Sequence, residues 1–289
     1  MDAMTSSLAT ASEDQHIVDV LIEERAHKLR ASALWPLYKS VLYPLLLYKP
    51  AVKMADAIAD KPAREVFNHI SELLALDVKT SGLEHIPETG RVLIASTHPT
   101  GIPDGVAMFD AIKHHRPDMT FFANRDALRA APGLDDMIIP VEWVQTKRTA
   151  TRSRETLEGA IKAFNAEKCV VLFPSGRLAA MGEDKQLIEQ EWLASVAIFA
   201  RKYDCPVVPA HIDMRNSSLY YWFWKLNTEL RDITLFHELL NKKNKTYGVS
   251  FGPKIDPKDL KGDAKRVADA LRDHAVALGN EPRPWAPLA

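Results

Sequence analysis

The amino-acid sequence predicts an α/β fold, in which a mostly parallel central sheet is flanked by helices and preceded by an N-terminal helical segment. From residue 92 onward, short apolar runs of strand length alternate with stretches whose apolar residues recur at helical spacing. This alternation is typical of parallel strands joined by helices that cover both faces of the sheet. The chain has 289 residues, 46% of them hydrophobic, which is enough for one large core.

Three regions are expected along the chain. Residues 1–15 are polar and acidic, which indicates a mobile tail and no secretory signal. Residues 16–78 are predicted to form an N-terminal helical segment at a membrane surface, because their apolar residues recur on one side of each helix. Residues 79–289 are predicted to form the α/β domain.

The stretch from Ala33 to Pro50 is the basis of the membrane prediction. It is apolar and aromatic, with lysines at intervals, and Trp and Tyr beside Lys suit the headgroup boundary of a bilayer. Two prolines interrupt it, and it is shorter than the roughly 18 uninterrupted apolar residues of a spanning helix. The alternative is an ordinary helical hairpin packed on the α/β domain.

The elements follow from apolar periodicity and from Gly and Pro turn signals. The strands are bounded apolar runs, predicted at residues 92–95, 119–123, 137–141, 169–173, 206–210 and 247–251. The helices have apolar residues on one face, and are predicted at residues 16–33, once or twice within 51–78, from 105 onward, and at 126–130, 151–164, 191–203 and 262–278. We find no internal repeat and no low-complexity segment.

Composition argues against several classes of protein. The chain has 37 Lys and Arg against 38 Asp and Glu, so there is no basic excess that would indicate nucleic-acid binding. Cys169 and Cys205 lie in apolar runs without ligand or disulfide spacing, which favours buried thiols in a reducing compartment. No His, Cys, Asp or Glu spacing indicates a metal site, and no glycine-rich nucleotide loop or Gly-x-Ser-x-Gly elbow is present.

The strongest candidate for chemistry is a turn that holds His98 and Asp104. It directly follows the apolar run at residues 92–95, and ligands of open α/β sheets bind at this carboxyl edge. A neutral imidazole can take a proton from an attacking hydroxyl, and a carboxylate on its other nitrogen fixes the tautomer. The alternative is a polar turn in which Asp104 only caps the next helix.

Three further loops carry candidate substrate-binding residues. At Pro174-Ser175-Gly176-Arg177, the glycine allows close approach of a ligand to the backbone and the arginine can hold an anion; a plain loop with a solvated arginine is the alternative. Asn124-Arg125 follows another strand, where Arg125 is either an anion ligand or half of a surface ion pair. Arg215-Asn216 precedes five adjacent aromatic residues. We expect these to line an acyl-chain groove or to lie at a membrane interface, and packing in the core is the alternative.

Together these stretches resemble the glycerolipid acyltransferase family, which includes the lysophosphatidic acid acyltransferases. The resemblance covers about residues 80–255. Five residues separate His98 from Asp104, where the family has four, and this spacing matches the hemolysin-like and lyso-ornithine-lipid branch with its block His-Pro-x-Gly-x-x-Asp-Gly. The further blocks of the branch resemble residues 123–126 with 139–142, residues 173–176, and residues 208–209 with 215–217.

The third block departs from the wider family, which has Phe-Pro-Glu-Gly-Thr-Arg there. Ser175 stands in place of the glutamate, and Arg177 comes one position earlier than the family arginine. The contacts to the acceptor headgroup are therefore expected to differ from those of the wider family.

The resemblance implies an O-acyltransferase that moves a fatty acyl group from an acyl thioester to the free hydroxyl of a lysolipid, either a lyso-aminolipid such as lyso-ornithine lipid or lysophosphatidic acid. His98 would be the general base, Asp104 would orient it, and N–H groups around Gly176 would bind the oxyanion. Acyl-CoA or acyl carrier protein would be the co-substrate, without a bound cofactor, at the cytoplasmic face of the cell membrane. The rivals are a thioesterase or lipase that uses the same pair on water, and a non-catalytic lipid-binding protein.

Overall fold

The computed structural model describes residues 15–142, 147, 149–280 and 284–286. The predicted mobile tail lies outside the described residues, apart from residue 15. Within the described part, the chain forms a seven-stranded sheet and a separate two-stranded hairpin. The sheet strands are β1 (Asp77–Ser81), β2 (Val92–Ser96), β3 (Thr120–Asn124), β4 (Ile138–Val141), β5 (Cys169–Leu172), β8 (Val207–Asp213) and β9 (Thr246–Phe251), and the hairpin strands are β6 (Ala180–Met181) and β7 (Leu187–Ile188).

The strand order of the sheet is β1-β9-β8-β2-β5-β3-β4. Neighbouring strands are parallel, except that β8 and β9 are antiparallel. The predicted α/β class with a mostly parallel central sheet is therefore confirmed. The two strands at the β1 edge run opposite to the other five, which share one carboxyl edge.

Helices cover both faces of the sheet. They are α1 (Ile17–Arg25), α2 (His27–Ala31), α3 (Trp35–Leu45), α4 (Tyr48–Ile58), α5 (Ala63–Leu74), α6 (Ile102–Ile112), α7 (Asp126–Ala130), α8 (Ala150–Asn165), α9 (Ser195–Lys202), α10 (Ser218–Leu226), α11 (Thr228–Asp232), α12 (Leu235–Leu240) and α13 (Ala264–Ala277). The apolar side chains of α1, α4, α5, α6 and α12 join one core cluster, and those of α8, α9 and α13 join a second on the other face.

Strand β2 lies at the centre of this three-layer arrangement. Val92 and Ile94 belong to the cluster on one face, while Leu93 and Ala95 belong to the cluster on the other. All four side chains are buried completely. A strand buried on both faces needs the continuous apolar run seen in the sequence, since alternating polar residues would lie in one of the two cores.

The N-terminal helices pack directly on the α/β domain and share its core. Asp19 of α1 accepts hydrogen bonds from the Tyr43 hydroxyl at 2.8 Å, from the Tyr48 hydroxyl and from Lys39, which ties α1 to α3 and α4. The helical segment ends at Leu74, and β1 already begins at Asp77. The predicted boundary between residues 78 and 79 therefore falls inside a strand of the sheet.

Helix α3 buries Trp35 and leaves an apolar stripe on its outer side. Leu37 and Val41 on this stripe are 60% and 63% exposed, and Leu34 and Leu45 continue it in both directions. Within the described residues, no helix is long and apolar enough to cross a membrane. The segment thus combines the packed hairpin of the alternative prediction with an uncovered apolar surface.

Two predicted helix starts are wrong. Helix α9 begins at Ser195 instead of residue 191, because the preceding segment with Trp192 packs as an extended loop. Helix α6 begins at Ile102, before the predicted start at residue 105. Pro103 does not delay it, since a proline in the first helical turn removes only an N–H group that has no partner inside the helix.

Candidate active site

The chain leaves β2 at the carboxyl edge of the sheet and is fixed there against β8. The Thr97 N–H donates to the Ala210 carbonyl at 3.1 Å. The Thr97 hydroxyl oxygen accepts from the Ile212 N–H at 2.9 Å. These contacts hold His98, the next residue, at the edge where side chains of neighbouring parallel strands converge.

Asp104 lies in the first turn of α6 and holds the turn between β2 and α6 together. Its carboxylate accepts from the Thr100 N–H at 2.8 Å, from the Gly101 N–H at 3.0 Å and from the Thr100 hydroxyl. Gly101 precedes the helix with φ +93°, a conformation that a side chain would strain. Asp104 therefore caps α6 from the third helical position, whereas the sequence placed it before the helix.

The turn brings His98 and Asp104 together. The distance from His98 Nδ1 to Asp104 Oδ2 is 2.9 Å, with Asp104 fully buried and 17% of the His98 side chain exposed. Nδ1 itself is buried, and besides this close contact it has no hydrogen-bond partner among the described residues. The imidazole also stacks on the Phe173 ring at a centroid distance of 4.3 Å.

This geometry gives the imidazole a defined chemical role. A carboxylate beside Nδ1 favours the tautomer with the proton on Nδ1, which leaves Nε2 as the basic nitrogen. It also stabilises the imidazolium that forms when Nε2 takes a proton. The site can therefore deprotonate a hydroxyl or water beside His98.

A tyrosine of β9 extends the polar network below Asp104. The Tyr247 hydroxyl lies 3.0 Å from the Thr100 hydroxyl oxygen, and Tyr247 is fully buried. Burial, followed by the charge of Asp104, raises the pKa of Tyr247 far above its usual range. Tyr247 therefore stays neutral. Since the Thr100 hydroxyl donates to Asp104, the Tyr247 hydroxyl is the donor in its contact with Thr100.

The loop after β5 also lies beside His98. The Ala179 N–H donates to the His98 carbonyl at 3.0 Å. Ser175 is buried and donates its hydroxyl to the Arg177 carbonyl at 2.8 Å. The N–H groups of Gly176 and Arg177 are used inside the turn, by the Phe173 carbonyl at 3.0 Å and the Ser175 hydroxyl at 3.4 Å. The expected oxyanion donors around Gly176 are therefore engaged elsewhere.

Arg177 is exposed at the end of this loop. Among the described residues, its guanidinium has no hydrogen-bond or ion-pair partner, while Pro174 is buried and its carbonyl accepts from the Leu193 N–H at 3.0 Å. A cation without a protein partner at the rim of the site remains available to an anionic group.

The structure does not place Asn124 and Arg125 beside the His98–Asp104 pair. They follow β3, which is two strands away from β2, or about 10 Å at the usual strand spacing. Arg125 forms an ion pair with Glu155 of α8 at 2.5 Å, and the Asn124 side chain accepts from the Asp126 N–H at 2.9 Å. Arg125 thus forms a surface ion pair, as in the alternative prediction although with Glu155, and its role as an anion ligand stays a prediction.

Arg215 and Asn216 lie in the loop between β8 and α10, at the same edge as His98. Arg215 is exposed and donates to the Lys185 carbonyl at 3.2 Å, which links this loop to the β6–β7 hairpin. Asn216 is buried, and both its side-chain nitrogen and its oxygen have no hydrogen-bond partner among the described residues. The backbone N–H of Asn216 donates to the Tyr221 hydroxyl at 3.3 Å.

The aromatic residues that follow form α10. Tyr220, Tyr221 and Phe223 are buried, whereas Trp222 is 57% exposed. Most of this segment therefore packs in the core, and Trp222 lies on the outside with Leu226 one turn later.

Two residues of the site were missed by the sequence prediction. Glu189 follows β7, and its Oε2 accepts from the His98 N–H at 3.1 Å. Its Oε1 accepts from the Trp192 indole N–H at 3.0 Å. No local pattern marks either residue, because the hairpin brings them to His98 across about 90 residues of chain.

Other kinds of catalytic centre find no support in the described part of the chain. It contains no group of three or more His, Cys, Asp or Glu side chains placed to bind a metal ion. Cys169 and Cys205 are both buried, and burial raises the pKa of each thiol to about 12. Neither cysteine would form a thiolate nucleophile near neutral pH.

Comparison with known proteins gives the following matches. Residues 77–213 match the model of a family described as Acyltransferase. Lyso-glycine lipid O-acyltransferase of Phocaeicola vulgatus is 27% identical over 191 residues, which are 64% of this chain and 66%, just under two thirds, of that relative. The crystal structure of the 1-acyl-sn-glycerophosphate (LPA) acyltransferase PlsC from Thermotoga maritima is 16% identical, with a TM-score of 0.45 and coverage of 93% of this chain and 98% of that one.

Proposed function

We propose that this chain is a glycerolipid acyltransferase, which transfers a fatty acyl group from an acyl thioester to the free hydroxyl of a lysolipid, and the match of residues 77–213 to the Acyltransferase family supports this. The observation that carries the proposal is the contact of 2.9 Å between His98 Nδ1 and the buried carboxylate of Asp104. A lysolipid brings its own hydroxyl, so the site needs a base but no serine or cysteine nucleophile.

The proposed reaction has two steps. In the first, Nε2 of His98 takes the proton of the lysolipid hydroxyl while its oxygen attacks the thioester carbonyl carbon, and a C–O bond forms. In the second, the tetrahedral intermediate collapses, the C–S bond breaks, and the thiolate leaves with the proton from His98. Asp104 stays beside Nδ1 throughout and stabilises the imidazolium between the two steps.

For the acceptor we propose a lyso-aminolipid, with lysophosphatidic acid as the second candidate. The five-residue spacing of the His98–Asp104 block and the relative named for lyso-glycine lipid favour the aminolipid. Arg177 is our candidate for the acidic headgroup, because it is an exposed cation without a protein partner among the described residues. Arg215 and Asn216 are further candidates in the facing loop.

For the donor we propose acyl-CoA or acyl carrier protein, used as a co-substrate without a bound cofactor. We further propose that the enzyme works at the cytoplasmic surface of the cell membrane. The apolar stripe on α3 and the exposed Trp222 of α10 support this, since exposed apolar side chains of this size are typical of surfaces that contact a bilayer.

The test is product analysis with purified protein. A labelled acyl-CoA and a labelled acyl carrier protein are each supplied with a lyso-aminolipid or with lysophosphatidic acid, and the lipids are separated. The proposal expects the label in a diacylated lipid. Release of the label only as free fatty acid would indicate a hydrolase, and no turnover of any donor would indicate a lipid-binding protein; either outcome contradicts the proposal.

A further inference from the structure

The main chain of His98 is held by one segment of the protein, residues 179–189, which contains the β6–β7 hairpin. The Ala179 N–H donates to the His98 carbonyl at 3.0 Å, before the hairpin. After the hairpin, Glu189 accepts from the His98 N–H at 3.1 Å. The two backbone groups of His98 are thus bound by the two ends of the same segment, which determines where the imidazole is presented.

Glu189 is itself fixed from the other side. Its second carboxylate oxygen accepts from the indole N–H of Trp192, which is completely buried. Both oxygens of Glu189 therefore accept hydrogen bonds from N–H donors, and the ionised form is the one that these bonds stabilise. A carboxylate held in this way places a negative charge at the backbone of His98, where it would also favour the imidazolium.

We infer that Glu189 is a positioning residue for His98, because it fixes the backbone of the base and stabilises the imidazolium formed during acyl transfer. Nothing in the reaction requires Glu189 to contact either substrate. The inference rests on the proposed function, since it assigns Glu189 a role in proton transfer by His98. Outer-shell partners of metal-bound histidines change affinity or activity by about 10–100-fold, and we expect an effect of this order for a residue that acts through His98.

The surroundings of Glu189 support an electrostatic role. The carboxylate faces His98, Ser175 of the loop after β5 and, across a groove of about 520 Å³, Arg272 and Asp273 of α13. Arg272 and Asp273 form an ion pair at 2.8 Å, and Arg272 also lies 3.7 Å from Asp269, so its charge is directed to these two carboxylates. Burial raises the pKa of Glu189 and its hydrogen bonds oppose this effect.

Two variants separate position from charge. Glu189→Gln keeps the size of the side chain but removes its charge, and offers one oxygen to two N–H donors. Trp192→Phe keeps the charge and removes one donor. The matched control is Glu191→Gln, two residues further along, where the glutamate is 71% exposed and pairs with Lys265. Rates and KM are measured from pH 5 to pH 9, together with Tm.

We expect Glu189→Gln to lower kcat by about 10–100-fold with little change in the KM for the lysolipid, and to move the acidic limb of the pH–rate profile to lower pH. Trp192→Phe should lower kcat less and leave the pH profile in place. Glu191→Gln should match the wild type. An unchanged kcat in Glu189→Gln, or a lower kcat with a lower Tm and an unmoved pH profile, would overturn the inference.

A second measurement does not depend on turnover. The NMR signals of the His98 ring are titrated in the wild type and in Glu189→Gln, with assignment by His98→Gln. The midpoint should be lower in Glu189→Gln than in the wild type, since a negative charge near the ring is lost. If the wild type acylates no lysolipid, the proposed function fails while this titration still decides the role of Glu189. An unmoved midpoint rejects that role alone.

Discussion

Replacing Asp104 with Asn tests whether the charge of this carboxylate supports the base. The substitution keeps the size of the side chain and removes its charge. The Thr100 and Gly101 N–H groups donate to the same oxygen that lies 2.9 Å from His98 Nδ1, so the Asn oxygen takes this position and the tautomer of His98 is kept. The negative charge that stabilises the imidazolium is lost. The same exchange in a Ser-His-Asp triad lowers kcat about 10⁴-fold through the wrong tautomer, so we expect a smaller loss of about 10²–10³-fold here.

The substitution also has a calculable cost in stability. Asp104 accepts from the Thr100 N–H, the Gly101 N–H and the Thr100 hydroxyl, whereas the Asn side chain has a single oxygen. One of these buried donors loses its partner, which costs about 1–3 kcal/mol in the free energy of unfolding. For a chain of this size, Tm falls by roughly 2–4 °C for each kcal/mol. The variant should therefore remain folded at 25 °C.

The assay compares initial rates of lipid acylation with Tm measured on the same samples. Asp110→Asn is the matched control, since Asp110 lies on the same helix and pairs with Lys113 at 2.7 Å. It should retain activity within about twofold, since Asp110 contacts Lys113 and Ser71 and neither His98 nor Asp104. The double variant His98→Ala with Asp104→Asn should be no slower than His98→Ala alone. Activity of Asp104→Asn within tenfold of the wild type, or multiplicative losses in the double variant, would refute the reasoning.

Three further predictions concern the membrane, a buried ion pair and pH. Leu37→Glu on the stripe of α3 should weaken co-sedimentation with anionic liposomes about tenfold or more, and the same change at exposed Leu157 of α8 should have no effect. Glu238→Ala should lower the free energy of unfolding by about 3–5 kcal/mol, measured by urea unfolding, because it leaves buried Lys242 unpaired at a contact that is now 2.8 Å. Burial raises the pKa of Glu189 above its ordinary value of 4.5, so the folded state binds this proton more tightly than the unfolded chain. The free energy of unfolding therefore falls as pH rises from the unfolded pKa through the folded one. Glu189→Gln should remove this pH dependence, and equal slopes of unfolding free energy against pH in both proteins would contradict the prediction.

The parts of the fold that the sequence predicts well are those determined by local pattern. Strand β2 is a short apolar run between turn signals, and its burial on both faces follows from that run. Strand β1 was missed because Asp77–Ser81 is a largely exposed edge strand whose polar residues carry no such signal. The hairpin of β6 and β7 was missed for a similar reason, since each strand has two residues.

The site divides in the same way. His98 and Asp104 are close in sequence, so one turn brings them together and their spacing is visible in the chain. Other contacts depend on how distant segments pack. Examples are the ion pair of Arg125 with Glu155 and the hydrogen bond from the His98 N–H to Glu189. Local spacing cannot predict such contacts, because the residue types involved are common at exposed positions as well.

The measurement that tests the central claim most directly is the acylation rate of His98→Ala. Wild type and variant are compared with the same labelled acyl thioester and lysolipid, at enzyme concentrations high enough to resolve a slow rate. If His98 is the general base, the variant forms the diacylated lipid about 10²–10⁴-fold more slowly while its Tm stays near that of the wild type. A folded His98→Ala variant with the full rate of acyl transfer would contradict the account.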